Sequence, residues 1–195
     1  REYGAEAFED LDAFLASDIE GVIVTAENVK HRSLVEKAAA AGKWILCEKP
    51  LATTVEDAKA MVAACKKAKV GLGTAFPCRY IPAVVSVREQ VAGGAFGDIY
   101  AASCTNHGQF PGGWFADEDL AGGGATMDHT VHVADLLRWI TGAEFTRVYC
   151  EKDRLILPDI ATDDLGVVHM EMDNGMIVSH IASWSRPKSF PTWGD

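Results

Sequence analysis

The 195-residue sequence predicts an α/β chain, a parallel sheet flanked by helices, followed by an α+β part with an antiparallel or mixed sheet. Three observations lead there. Short, wholly apolar runs alternate with amphipathic helical stretches as far as Ala75, the order that builds βαβ units on a parallel sheet. After Phe76 this rhythm stops, and Pro77 and Pro82 punctuate the chain. Near the end, Asp173-Asn174-Gly175 separates two strand-like runs, a strong hairpin signal that calls for antiparallel pairing.

Taken in order, Phe8, Leu11, Phe14 and Leu15 fall at helical spacing up to Ala16. Gly21 to Thr25 is a β-branched run expected to be buried on both faces. Asn28 is expected to cap a helix that runs to about Ala41 and stops at Gly42. Trp44 to Cys47 is a second buried strand, ending abruptly at Glu48-Lys49-Pro50. Thr53 or Thr54 opens the next helix, with Glu56 and Asp57 in its first turn and an end near Lys69. Val70 to Ala75 reads as the third strand. Beyond Phe76 come a helix from about Ala83 to Ala92, a strand from Asp98 to Thr105, and a long loop from Asn106 to Gly124. An amphipathic helix then spans Ala125 to Thr141, burying Val131, Ala134, Leu137 and Ile140, and the hairpin strands are Gly166–Met172 and Met176–Ser183.

Composition narrows the function classes. Hydrophobic residues make up 48% and charged residues 24%, enough for a globular core. Eighteen Lys and Arg against 28 Asp and Glu give a net charge of −10, which argues against nucleic acid or an anionic membrane as partner. No apolar run approaches the ~18–20 residues of a membrane helix. The chain opens on Arg1-Glu2-Tyr3-Gly4 without an initiator Met or the pattern of a signal peptide, so it reads as a processed piece or part of a longer product. Five cysteines, an odd number with no CxxC pair, suggest free buried thiols in a reducing cytoplasm.

Two stretches could carry chemistry. Glu48-Lys49-Pro50 follows a buried strand, and ligands of open parallel sheets lie outside the carboxyl ends of the strands. There Lys49 is either a partly desolvated group that tunes a proton transfer or a solvated loop lysine. In Gly122-Gly123-Gly124-Ala125-Thr126-Met127-Asp128-His129-Thr130-Val131-His132 the glycines allow close backbone approach. Asp128 and His132 share a helical face, so a carboxylate can orient an imidazole general base; the same spacing also describes a surface pair. His129 belongs to another face. A metal held by Asp128, His129 and His132 with His107, His169 or His180 lacks any recognised ligand spacing, and none is expected. Gly71-Leu72-Gly73 lacks the third glycine of a dinucleotide fingerprint and reads as close packing. Trp114, with Asp117, Glu118 and Asp119, either suits a polyol or is the anchor of a solvated acidic loop, and Arg79 is either an anion contact or a surface arginine.

These residues together resemble the Gfo/Idh/MocA family (glucose–fructose oxidoreductase, inositol dehydrogenase, rhizopine catabolism). The resemblance covers residues 20 to 141: Thr25 with Asn28 and His31, Leu46-Cys47-Glu48-Lys49-Pro50-Leu51, Arg79-Tyr80-Ile81-Pro82, the three glycines with Asp128 and His132, and Asp135-Leu136-Leu137-Arg138-Trp139. It implies a partial Rossmann-type parallel sheet followed by part of an α+β domain with a mainly antiparallel open sheet. Residues 1–76 would be the second half of a dinucleotide-binding domain lacking its first βαβ unit. Residues 77–195 would be part of a substrate and dimerisation domain. The implied activity is hydride transfer between NAD or NADP and a sugar, cyclitol or related polyol, in a cytoplasmic homo-oligomer. Lys49, Asp128 and His132 would be catalytic; Thr25, Asn28, His31, Glu48, Lys49, Pro50 and Arg79 would lie along the cofactor. His107 and Trp114 would join Lys49, Asp128 and His132 around the substrate.

Departures from that pattern are also legible. Neither a glycine-rich pyrophosphate turn nor the charged residue that selects NAD or NADP occurs in these 195 residues, so the chain by itself is expected to bind dinucleotide poorly. Thr25-Ala26-Glu27-Asn28 is one residue longer than the usual Thr-Pro-Asn, and Pro77 stands where an Asn is usual. Two other classes stay open on sequence: a non-catalytic sugar-binding or regulatory protein on the same scaffold, and a metal-dependent isomerase or hydrolase.

Overall fold

The computed structural model describes residues 4–190, and the chain forms two compact units, Arg1–Ala75 and Phe76–Asp195. In the first, helix α1 (Leu11–Ala16) starts where the Asp10 carboxylate accepts the Ala13 N–H. Strand β1 (Gly21–Val24) leads through a 3-10 turn at Asn28–Lys30 into α2 (His31–Ala40), then come β2 (Trp44–Cys47), α3 (Val55–Ala68) and β3 (Leu72–Thr74). The three strands form one parallel sheet in the order β1-β2-β3.

Local chemistry explains where these helices begin and end. The Thr54 hydroxyl caps α3 by accepting the Asp57 N–H, with Glu56 and Asp57 in the first turn and Lys66 and Lys67 in the last. That charge order complements the helix dipole. Gly42, at φ +73°, closes the end of α2 as expected. Asn28 does not cap: it is buried as the first residue of the 3-10 turn, and the cap position belongs to Glu27. The expectation of strands buried on both faces also fails. Helices α2 and α3 supply Val35, Ala38, Ala39, Met61 and Cys65 to a core with Val24, Ile45 and Cys47. The alternate residues of the same strands point away from these helices, leaving Ile23 and Trp44 at 67% and 65% exposure. On that side a Cβ at Gly71 would lie 2.4 Å from the Trp44 ring, so the Gly-Leu-Gly sequence is close packing.

The second unit holds α4 (Pro82–Ala92), β4 (Ala101–His107), α5 (Glu118–Ala121), α6 (Ala125–Thr141), β5 (Phe145–Asp153), β6 (Leu165–Met172) and β7 (Ile177–Ser183). Its sheet runs β4-β7-β6-β5, parallel between β4 and β7 and antiparallel elsewhere. The hairpin between β6 and β7 turns at Gly175, φ +85°. Val168, Met170, Met172 and Val178 bury one sheet face, with Leu137 of α6 packed against them. Strand β5 has no sequence signature because all but Phe145 of its residues are exposed, which leaves no buried-face alternation. The long loop after β4 contains a 3-10 turn at Gly113–Ala116 and the short α5.

On α6 the buried positions are polar: Asp128, His129 and Asp135, with Ala125. Val131, Ala134, Leu137 and Ile140, expected to be buried, are half-buried instead. All five cysteines are free, but the expected burial holds for Cys47 and Cys65 and fails for Cys150, which is exposed. Among the described residues no helix is long and apolar enough to cross a membrane.

Candidate functional site

In the first unit the carboxyl ends of three parallel strands gather the predicted residues. Glu48 N–H donates to the Val24 carbonyl, and Ala75 N–H donates to the Cys47 carbonyl. Adjacent strand ends are thereby held in line, with Thr25 exposed after β1 and Lys49 half-buried after β2. The Lys49–Pro50 peptide is cis, and the Lys49 N–H is received by the Glu48 carboxylate at 3.2 Å. Cys47 is no nucleophile: burial, with the neighbouring Glu48 charge, pushes its thiol up to about 12.

His31 takes a different place from the one expected of it. It is fully buried, with Nδ1 3.0 Å from the Pro50 carbonyl and Nε2 3.1 Å from the Ala26 carbonyl. With no exposed surface, and with a main-chain carbonyl near each ring nitrogen, His31 is placed as a strut and not at the surface where a cofactor contact was expected. It ties the turn after β2 to the loop after β1.

In the second unit the site residues surround the first two turns of α6. Asp163, from the segment before β6, accepts the Gly124 N–H at 3.2 Å and the Thr126 N–H at 2.9 Å, while its own carbonyl accepts the Ala125 N–H. These are the orphan donors of a helix start, satisfied here from a distant part of the chain. Burial alone would raise the Asp163 carboxyl, but hydrogen bonds from Lys152 and Thr126 outweigh it and hold the group below its ordinary value. Gly124 must be glycine, since a Cβ would meet the Asp163 carbonyl oxygen at 1.8 Å. The close approach that the glycines permit is therefore to this neighbouring segment.

Asp128 lies in the first turn of α6, about nine-tenths buried, which removes the reading of a surface pair with His132. Its Oδ2 accepts the indole N–H of Trp184 at 3.2 Å and lies 3.9 Å from His129 Nε2. His129 lies about 100° round the helix from Asp128, and its ring still reaches that carboxylate from the neighbouring face. Its ring packs so closely on Gly108 that a Cβ there would lie 2.4 Å away. His132, one turn after Asp128, meets the edge of Phe76, with ring centroids 6.3 Å apart.

The remaining predicted residues divide. His107 holds Nδ1 2.8 Å from the Ser183 hydroxyl and 3.1 Å from that of Ser185. Trp114 stacks on Phe115, centroids 3.9 Å apart, and Asp117 is used as the cap of α5. Arg79 donates from Nε and Nη2 to Asp135 and faces the rings of Phe76 and Trp139. That ion pair fixes the guanidinium while leaving about a third of the Arg79 side chain exposed. Sequence reasoning missed Trp184 and Asp163; their signals were a lone Trp ending a strand and paired acids opening one. Among the described residues no group of three or more His, Cys, Asp or Glu could hold a metal ion.

Residues 1–76 match the model for an oxidoreductase family with an NAD-binding Rossmann fold, and residues 84–193 match the GFO/IDH/MocA C-terminal domain. A 1,5-anhydro-D-fructose reductase of Ensifer adhaerens is 41% identical over 126 residues, 63% of this chain and 38% of that protein. An inositol 2-dehydrogenase of Rhizobium meliloti is 31% identical over 165 residues, 84% of this chain and 48% of that protein. A levoglucosan dehydrogenase solved with NADH and levoglucosan superposes with a TM-score of 0.85 at 29% identity, over 93% of this chain and 52% of that one. The chain therefore spans about half or less of the relatives it matches. With both of its units accounted for by the two halves of one family description, the chain belongs to the Gfo/Idh/MocA oxidoreductases.

Proposed function

We propose that the protein is an NAD(P)-dependent oxidoreductase that interconverts a polyol or sugar hydroxyl and its ketone. The observation that carries this reading is the buried Asp128 one helical turn before His132, on a helix whose start is fixed by Asp163. A carboxylate so placed favours the protonated imidazole, which is what a base needs when it takes an alcohol proton. The parallel strand ends of the first unit suit the nicotinamide half of a dinucleotide, with Thr25, Asn28, Glu48, Lys49 and Pro50 as the groups that would hold it. No glycine-rich pyrophosphate turn lies among the described residues.

NAD(P), when bound, supplies the hydride acceptor. His132 takes the hydroxyl proton onto a ring nitrogen as the carbinol C–H bond gives up its hydride and the C=O bond forms. The Lys49 ammonium hydrogen-bonds the substrate oxygen and stabilises its developing negative charge. His107 and Trp114 shape the substrate pocket, Trp114 by offering an aromatic face to sugar C–H groups. His31 and Arg79 act as supports. We place the enzyme in the cytoplasm as a homo-oligomer; the outer face of the second sheet, where Tyr149 and Ile177 are exposed, supports the latter.

The test is a steady-state panel on the full-length protein: oxidation of inositol and levoglucosan, and reduction of 1,5-anhydro-D-fructose, each with both cofactors. Turnover of at least one substrate is expected. No turnover of any, from folded protein, contradicts the proposal.

A further inference from the structure

Asp128 owes its orientation to a residue far along the chain. Trp184 is 2% exposed just after β7, and its indole N–H, which can only donate, points to Asp128 Oδ2 at 3.2 Å. The indole is itself held tightly. Phe110 lies against it with centroids 5.0 Å apart, Phe115 meets its edge at 6.3 Å, and the Trp184 main-chain N–H donates to the Asp164 carbonyl. Asp164 is fully buried and receives the N–H groups of Leu155, Ile156 and Leu157. One more ring extends the chain of contacts outward: Trp114 stacks on Phe115.

We propose that Trp184 is a positioning residue that fixes the plane of the Asp128 carboxylate, and that the Phe115–Trp114 stack links it to the substrate loop. The inference rests on Asp128 being catalytic, as argued above. A carboxylate on a helix rotates about its terminal torsion, and a rigid indole donor within hydrogen-bond distance selects one orientation of it. The same contact sets a neutral indole donor against the buried acid.

In the full-length enzyme, Trp184→Phe keeps an aromatic ring between Phe110 and Phe115 and removes the N–H. With the panel polyol that the wild type oxidises fastest, kcat is expected to fall about ten- to hundredfold, the loss of one hydrogen bond to a charged acceptor. KM for the nicotinamide cofactor should stay within about twofold, since that change alters transition-state and not cofactor binding. In an Asp128→Asn background the same substitution should cost little more. An unchanged kcat in folded Trp184→Phe, or equal losses in both backgrounds, overturns the proposal. Should Trp184→Phe fail to fold, the indole ¹H–¹⁵N resonance of Trp184 decides: it should move upfield on Asp128→Asn, and a resonance that stays in place overturns the contact. If Asp128→Asn moves the resonance yet leaves kcat at the wild-type value, the catalytic reading of Asp128 fails while the contact itself stands.

Discussion

Single buried histidines divide the labour in this chain. His31 lies between two main-chain carbonyls, one near each ring nitrogen, whereas His180, fully buried on β7, has Nδ1 3.4 Å from the Cys104 carbonyl and a buried Nε2 without a hydrogen-bond partner among the described residues. Burial lowers the His180 pKa, the Cys104 carbonyl opposes it with a smaller effect, and the nearby His107 adds a still smaller lowering. Its neutral form is therefore favoured in the folded state. Above the unfolded value of about 6.5 this has no effect on stability; as pH falls below it, the unfolded chain takes up a proton that the native site resists. Stability should drop more steeply between about pH 7.5 and 5.5 in the wild type than in His180→Leu, read as urea midpoints. Equal slopes would contradict it. At this scale the sequence revealed residue types and spacing, as with Asp128 and His132, but not partners. Nothing near Asp128 in sequence announces Trp184, and nothing near His31 announces Pro50, because both contacts are made by the fold.

Among the elements, α6 shows how a helix start can be built from elsewhere. Its N-cap is Gly124, which has no side chain to cap with, and the Asp163 carboxylate does that work across the unit. Gly124→Ala would drive a methyl into the Asp163 carbonyl and displace that segment, costing about 3 kcal/mol of stability. Thermal unfolding of the variant, with Gly94→Ala as the control at an open positive-φ glycine, measures this; equal losses at the two sites would contradict the packing argument. The helix itself was plain from its spacing, as were β2, α3 and the β6–β7 hairpin. Strand β5 was not, since an exposed edge strand needs no apolar alternation. Nor was the one-sided burial of β1 and β2, since an apolar run reads the same whether one face or both are covered.

Across the whole molecule, the succession of a parallel α/β unit and a mixed-sheet unit was readable because each demands a different order of elements. The net charge of −10 speaks of solubility and partners and leaves the chemistry untouched. The proposed chemistry assigns roles to Lys49, after β2, and to Asp128 and His132, on α6. The most direct test is the rate of polyol oxidation by the full-length enzyme, followed by nicotinamide absorbance, for wild type, Lys49→Ala and His132→Ala. Each substitution should lower kcat by about 10²- to 10⁴-fold, the range for a positioned acid–base group, while cofactor binding measured by calorimetry is retained. Wild-type turnover in both folded variants would contradict the assignment.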